Sequence, residues 1–283
     1  YASKEAKNQL LQSQGKKKRL EQSKQEFVWQ CLTGHFDEEE DFESFFKKLA
    51  VPVPSAYTII LFQFPIQIDD QIEKQIEYML KTTQIIHAPL YTIDRDQLII
   101  IASPFDDRHF ITALSNFISH FSTAMETRFL IGGIKGACGQ PYDSLLEAGK
   151  CHKEAVYTLE LQQIFPERTE QLINFAELGM YQYLETLAGT VRDSLYQKRL
   201  DTLEEYDRKN KTNLLLTLST YLENDGNPVS TAKGMHLHVN TIHYRIKRID
   251  EIMDFSIKQP LHKMALFLEI LLKQYIHFQE QIK

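Results

Sequence analysis

The spacing of apolar positions divides the chain into stretches with different periods. Residues 1 to about 30 are polar and helix-favouring, with Leu10, Leu11, Leu20 and Phe27 as sparse apolar points and Gly15 as an interruption, so a connecting helix is expected rather than a long coiled coil. HFDEEEDFESFFKKLAV then packs acid into a helix start and closes on Lys47 and Lys48, matching the helix dipole at each end. From Tyr57 the texture changes. YTIILFQF, between Pro54 and Pro65, reads as a buried strand. DDQIEKQIEYMLKT returns to helical intervals at Ile72, Ile76, Tyr78 and Leu80 after a paired Asp start. PLYTIDRDQLIIIAS reads as a hairpin, two β-rich runs joined across Asp94, Arg95 and Asp96. HFITALSNFISHF is an amphipathic helix, TRFLIGGIKG a strand ending in glycines, and YDSLLEAGKCHKEAVYTLEL a helix from Asp143. This order of elements predicts an α/β sandwich of about 110 residues.

Beyond it the pattern turns helical. LINF is a last short strand, and LGMYQYLETL and VRDSLYQKRLDTLEEY carry helical spacing. NLLLTLSTYLEN repeats apolar residues at Leu214, Leu218, Tyr221 and Leu222. PLHKMALFLEILLKQY does so at Leu261, Met264, Ala265, Leu268, Leu271 and Leu272. The expected fold class is multidomain α/β plus a C-terminal all-α helix-turn-helix domain. The expected divisions are residues 1–50 (connecting helices), 51–165 (α/β domain), 166–210 (connecting strand and helices) and 211–283 (helix-turn-helix).

Between the last two helical patterns lies NPVSTAKGMHLHVNTIHYRIKRIDEI. Asn227 is a good N-cap, and Pro228 suits the first helical position, whose amide has no partner within the helix. A short helix would run to about Met235, turn through HLH, and restart near Val239 or Asn240. In the second helix Ile242, Ile246, Ile249 and Met253 form one face that must be buried. At about 100° per residue the opposite face collects Asn240, His243, Tyr244, Lys247 and Arg248, with Thr241 and Arg245 on its flank. That face is polar and positive, as a helix in a DNA major groove requires: Asn can pair with adenine, Arg can fork to guanine, and Thr, Lys and Tyr can reach phosphates. A solvated face on an ordinary three-helix unit is the alternative. Zinc fits poorly, because H-x-H plus His243 lacks a carboxylate or thiolate partner.

The totals narrow the choices. With 283 residues, 43% hydrophobic and 25% charged, the chain is globular and long enough for two domains. A formal net charge of −6 excludes a global positive field, so any polyanion contact must be local. Three cysteines without a C-x-x-C pair argue against a disulfide framework and a thiolate metal site, and favour a reducing cytoplasm. The apolar runs are too short for a membrane helix, and no signal peptide is expected. Because the chain opens on Tyr1 rather than Met, a fragment of a longer protein is expected.

The residues Thr231, Ala232, His238, Asn240, Thr241, Tyr244, Arg245 and Ile246 match a T-A-x-x-x-x-x-H-x-N-T-x-x-Y-R-[IL] core, flanked in order by LLLTLSTYLENDGN and QPLHKMALFLEILL. This run, from Asn213 to about Tyr275, resembles the C-terminal helix-turn-helix of the bacterial purine-catabolism and sugar-diacid regulators, the PucR/CdaR type. The resemblance implies a DNA-binding transcription regulator whose recognition helix, about residues 239–253, places His238, Asn240, Thr241, His243, Tyr244, Arg245, Lys247 and Arg248 on or beside the DNA. Members often carry Arg where this chain has Val239 and His243, so the salt-dependent phosphate contribution should be smaller here. Gly234 stands where Ala or a similar residue is usual, a cost on the order of 1 kcal/mol inside a helix.

The middle domain is similar to the degenerate GGDEF-like module of the same family, with DRDQLIII at the signature hairpin. A cyclase would need two glycines there and carboxylates for magnesium. This chain has Asp94 and Arg95 for the glycines and Gln97 for the acid, leaving Asp96. No enzyme, cofactor or metal is therefore expected. GGIKGACG lacks the Lys-Ser/Thr of a phosphate loop, and Cys151 and His152, about 100° apart on one helix, are poorly placed as nucleophile and base. The expected partners are double-stranded DNA, a second copy in a homodimer or higher oligomer, and a possible small-molecule effector, with no membrane. A non-catalytic signalling or scaffold module and a residual nucleotide-binding protein remain as alternatives.

Overall fold

The computed structural model describes residues 20, 22–36, 39–49, 53, 56–82, 90–103, 110–166, 173–190 and 194–282. The chain divides into two compact units, Tyr1–Gly179 and Met180–Lys283.

The first unit holds helices at residues 22–33 (α1) and Glu39–Leu49 (α2), then β1 (Thr58–Gln63), α3 (Asp70–Thr82), β2 (Leu90–Asp94), β3 (Gln97–Ala102), α4 (Phe110–Phe129), β4 (Lys135–Cys138) and α5 (Ala148–Ile164). The strands make one antiparallel sheet in the order β2-β3-β1-β4. Residues two apart along a strand share a face. Ile60, Phe62, Leu98 and Ile100 therefore pack with Ile72 and Ile76 of α3 and with Leu114, Phe117 and Phe121 of α4. Ile59, Leu61, Ile99 and Ile101 pack on the other side with Phe27, Val28, Phe42 and Phe46 from α1 and α2 and with Cys151 and Ala155 of α5. Helices cover both faces, and that is why β1 is apolar at nearly every position. Each such side chain contributes about 1.5–3 kcal/mol by its burial.

Asp69 Oδ1 accepts the Gln71 and Ile72 amides, each at 2.9 Å, and so caps α3. Its buried face takes Met79 in place of the expected Tyr78, which is 55% exposed. The hairpin turn is the dipeptide Arg95-Asp96, with Arg95 at φ 55. Its carbonyls are engaged: Phe64 N donates to Asp96 O and Ile68 N to Arg95 O, both at 2.8 Å.

Three expectations need correction. The stretch TRFLIGGIKG is not a strand at its start, because α4 runs on to Phe129 and reverses through Leu130 (φ 60) and Gly133 (φ 76), so that the strand forms only at Lys135–Cys138. At Gly136 α4 crosses so closely that a Cβ would lie 2.3 Å from Ile118 Cγ2 and 2.9 Å from Phe62 Cε1. The helix expected from Asp143 opens instead as a 3-10 turn, Leu145–Glu147, capped by Ser144 Oγ, and becomes α-helical at Ala148. In LINF, Leu172 lies outside the described residues, and Asn174 makes a single parallel bridge to Cys138 before a 3-10 turn at Phe175–Glu177.

The loop after β4 is fastened to α5 by Glu154, which is buried. Its carboxylate accepts the Gln140 amide at 3.0 Å, the Gln140 Nε2 at 3.0 Å and the Tyr142 hydroxyl at 2.5 Å. Burial and this hydrogen bond hold the Tyr142 hydroxyl above its usual pKa. Leu10, Leu11 and Gly15, on which the connecting-helix expectation rested, lie outside the described residues, as do Asp37 and Glu38 of the acidic run.

The second unit holds α6 (Leu184–Thr190), α7 (Leu195–Asn210), α8 (Leu214–Glu223), α9 (Pro228–Gly234), α10 (Val239–Met253) and α11 (Pro260–Ile282), and α7 to α11 share one core. Its buried side chains include Leu200, Leu203, Leu218, Ile246, Ile249 and Leu266. Ser194 Oγ caps α7 by accepting the Gln197 amide at 3.0 Å. At the start of α8 the Asp207 carboxylate accepts the amides of Leu214 and Leu215, each at 2.8 Å, a negative group at the positive end of a helix. In α11 the expected stripe is corrected. Leu271 and Leu272 are buried as predicted, but Leu266 and Ile270 join them while Leu261 and Met264 are 71% and 67% exposed.

Candidate nucleic-acid interface

The two short helices and their corner form as the spacing predicts. Asn227 Oδ1 accepts the amides of Val229 (2.9 Å) and Ser230 (3.2 Å), and Pro228 occupies the first position of α9. Thr231 and Ala232 are buried where α9 meets its neighbours. The corner bends through His236 at φ 54, a left-handed conformation, and Leu237 N closes it on Ala232 O at 2.9 Å. His238 then caps α10, its ring Nδ1 accepting the Asn240 amide at 3.2 Å.

Two stability changes follow from these caps. His238→Ala is expected to lower the unfolding free energy of the second unit by about 1 kcal/mol. Gly234→Ala should raise it by about 0.4–1 kcal/mol, since a Cβ there meets only Thr220 Cγ2 at 3.8 Å. Scanning calorimetry of the unit's transition reads both, as shifts of opposite sign.

Along α10, Ile242, Ile246, Ile249 and Met253 are buried. Asn240, His243, Tyr244 and Lys247 are exposed on the opposite side, Tyr244 at 70%. Thr241, Arg245 and Arg248 sit at intermediate burial along the border. The two arginines turn back into the unit. Arg245 Nη1 donates to the fully buried Thr217 Oγ1 at 2.9 Å, and that hydroxyl in turn donates to Asn213 O at 2.7 Å. Arg248 donates to the Tyr206 hydroxyl from Nε (3.2 Å) and Nη2 (3.1 Å), lies 5.1 Å from that ring's centre, and pairs with Glu251 Oε2 at 2.8 Å. Glu251, three residues on along the helix, is a partner that the spacing could have supplied. Thr217 and Tyr206 come from α8 and α7, where no local signal marks them. Among the described residues no cluster of His, Cys, Asp and Glu could hold a metal ion.

The first unit offers little to a cyclase reaction. Gln97, at the position of an acid, donates through Nε2 to Gln63 Oε1 at 3.0 Å, so two amides hold each other where magnesium would need carboxylates. Its three thiols are buried. Burial pushes Cys31 and Cys151 up to about 12 and Cys138 well above the thiol range, while His152 is pushed down by burial. The thiols stay protonated at neutral pH, and alkylation is expected to require unfolding. An unfolded thiol ionises near about 8.5, so the unfolded chain binds fewer protons above that point. Stability of the first unit should therefore decline as pH rises from there toward about 12, which urea titrations across that range would detect.

Comparison with known proteins places both units. Residues 33–161 match the GGDEF-like domain, and residues 214–272 match the PucR C-terminal helix-turn-helix domain. The second match is to a domain built on a helix-turn-helix. Over those residues the chain is similar to PucR-type regulators. The chain is 34% identical over 273 residues to the DNA-binding transcriptional activator AdeR of Bacillus subtilis, covering 96% of this chain and 64% of that protein. It is 24% identical over 261 residues to the proline-responsive transcriptional activator PutR of the same organism, covering 90% of this chain and 63% of that one. The purine catabolism regulatory protein of that organism matches over 81 residues at 35% identity, 29% of this chain and 15% of that protein. The chain thus spans less than two thirds of the length of the first two relatives.

Proposed function

We propose that the chain is the regulatory and DNA-reading part of a cytoplasmic transcription regulator, with α10 as the recognition helix in the major groove. The observation that carries this reading is the division of α10 into a buried aliphatic stripe and an exposed face of Asn240, His243, Tyr244 and Lys247. His238 and Thr241 stand at its start, and Arg245 and Arg248 along its border. Asparagine matches the donor and acceptor edge of adenine, while Lys and Tyr reach phosphates. Readers of this type act as dimers on paired half-sites, so the working form is a homodimer or higher oligomer. The names of the relatives, a proline-responsive activator and a purine catabolism regulator, support control by a small metabolite. No helix among the described residues is long and apolar enough to cross a membrane.

Selection of duplexes from a genomic library by the purified chain, followed by binding titrations at several salt concentrations, tests the reading. Recovery of one sequence class whose affinity falls as salt rises supports it. Recovery of no duplex above background by a folded chain would overturn it.

A further inference from the structure

Arg245 and Arg248 would, on sequence alone, be the strongest DNA ligands of α10, yet each is spent on a partner within the second unit. Arg248 uses Nε, Nη1 and Nη2 together: two reach the Tyr206 hydroxyl, the third reaches Glu251, and the guanidinium lies over the Tyr206 ring. Its charge is matched by Glu251 before any phosphate approaches. Arg245 reaches Thr217, whose hydroxyl is fully buried and is satisfied as donor by Asn213 O and as acceptor by Arg245. Withdrawing either arginine toward DNA would undo these bonds, and for Thr217 it would leave a buried hydroxyl short of a donor. The two anchors attach one helix to two different supports, α8 through Thr217 and α7 through Tyr206. Between them they fix both the roll of α10 about its axis and the tilt of its exposed face.

We infer that Arg245 and Arg248 are positioning residues that set the angle at which α10 presents its face, and that Asn240, His243, Tyr244 and Lys247 make the DNA contacts. This inference rests on the DNA-reading function proposed above and assigns the labour within that site. A planar fork is required at Arg248, because a lysine supplies the same charge without the paired donors, whereas Arg245 acts through a single bond from Nη1 that loss of the Thr217 hydroxyl removes. The consequence for DNA is specific. Phosphate attraction supplies the sequence-independent part of binding, whereas base readout depends on where the helix points.

The test uses the full chain, a duplex recovered by selection, and an unrelated duplex of equal length. Arg248→Lys, Thr217→Val and Tyr206→Phe are compared with Lys247→Ala, each first shown to be folded at the assay temperature by circular dichroism and a urea titration. Arg248→Lys, Thr217→Val and Tyr206→Phe should each weaken the selected duplex on the order of tenfold, the size of one lost base contact, and leave the unrelated duplex and the salt slope unchanged. Lys247→Ala should weaken both duplexes and reduce the salt slope by about one. Two results would overturn the inference. If Arg248→Lys binds like wild type while Arg248→Ala loses affinity for both duplexes together with salt slope, Arg248 is a phosphate ligand. If all three folded clamp variants bind the selected duplex normally, the clamps serve only the fold. Either result leaves wild-type DNA binding intact. A wild-type chain that binds neither duplex removes the parent reading, and this inference with it.

Discussion

Gly136→Ala is expected to destabilise the first unit by about 1–3 kcal/mol, the usual range for a methyl forced into a filled core. The new Cβ would stand 2.3 Å from Ile118 Cγ2, on a β-branched side chain of α4 that has little freedom to turn away, and 2.9 Å from Phe62 Cε1 in β1. Either α4 lifts from the sheet or β4 slips against β1. The chain's one tryptophan, Trp29 in α1, reports this unit, so urea unfolding followed by its fluorescence measures the change. Ile118→Ala by itself opens a cavity at a cost of about 2–5 kcal/mol. Combined with Gly136→Ala it should cost less than the sum, because the added methyl enters the space that the isoleucine vacates. Simple additivity would show that the close approach is not what constrains position 136.

The largest change in binding expected from a single substitution is at Asn240. Its side chain is exposed at the first turn of α10, and its backbone amide is held by His238, so its place on the helix is fixed while its carboxamide faces outward. Asn240→Ala should cost about 1–3 kcal/mol against the selected duplex, on the order of tenfold to a hundredfold in affinity. It should leave the salt slope unchanged, since no charge is lost, and should relax the preference at one base position of the site. A uniform loss across sequences would instead assign Asn240 to the phosphates.

Much of the second unit was legible because its signals are local. Asn227 before Pro228 fixes the start of α9, and the four-three-four spacing of Ile242, Ile246, Ile249 and Met253 fixes which side of α10 is buried. The strand β1 was equally plain, because an apolar run between prolines has few other readings. The misses share a different cause. In α11 apolar residues occur nearly all the way round the helix, so several stripes satisfy the same period, and packing against α6, α7 and α8 selects the one containing Leu266 and Ile270. Tyr78 and Met79 posed the same choice on α3, and the smaller, more adaptable side chain went inside. LIGGIKG is rich enough in isoleucine to read as a strand, yet its glycines serve the reversal after α4 and its close crossing over β4. The inward turn of Arg245 and Arg248 was invisible because Thr217 and Tyr206 reach them from other helices. A helical wheel shows which way a residue leaves its own helix. It does not show what stands opposite.

The central claim is that the outer side of α10 meets DNA. Substituting His243 and Lys247 together by glutamate leaves the buried stripe and both arginine clamps in place while it reverses the charge of that side. Fluorescence anisotropy of the selected duplex at fixed salt should then show binding weakened at least a hundredfold, on the order of 3 kcal/mol, in a chain whose urea midpoint is unchanged. Unaltered affinity in that folded variant would contradict the account.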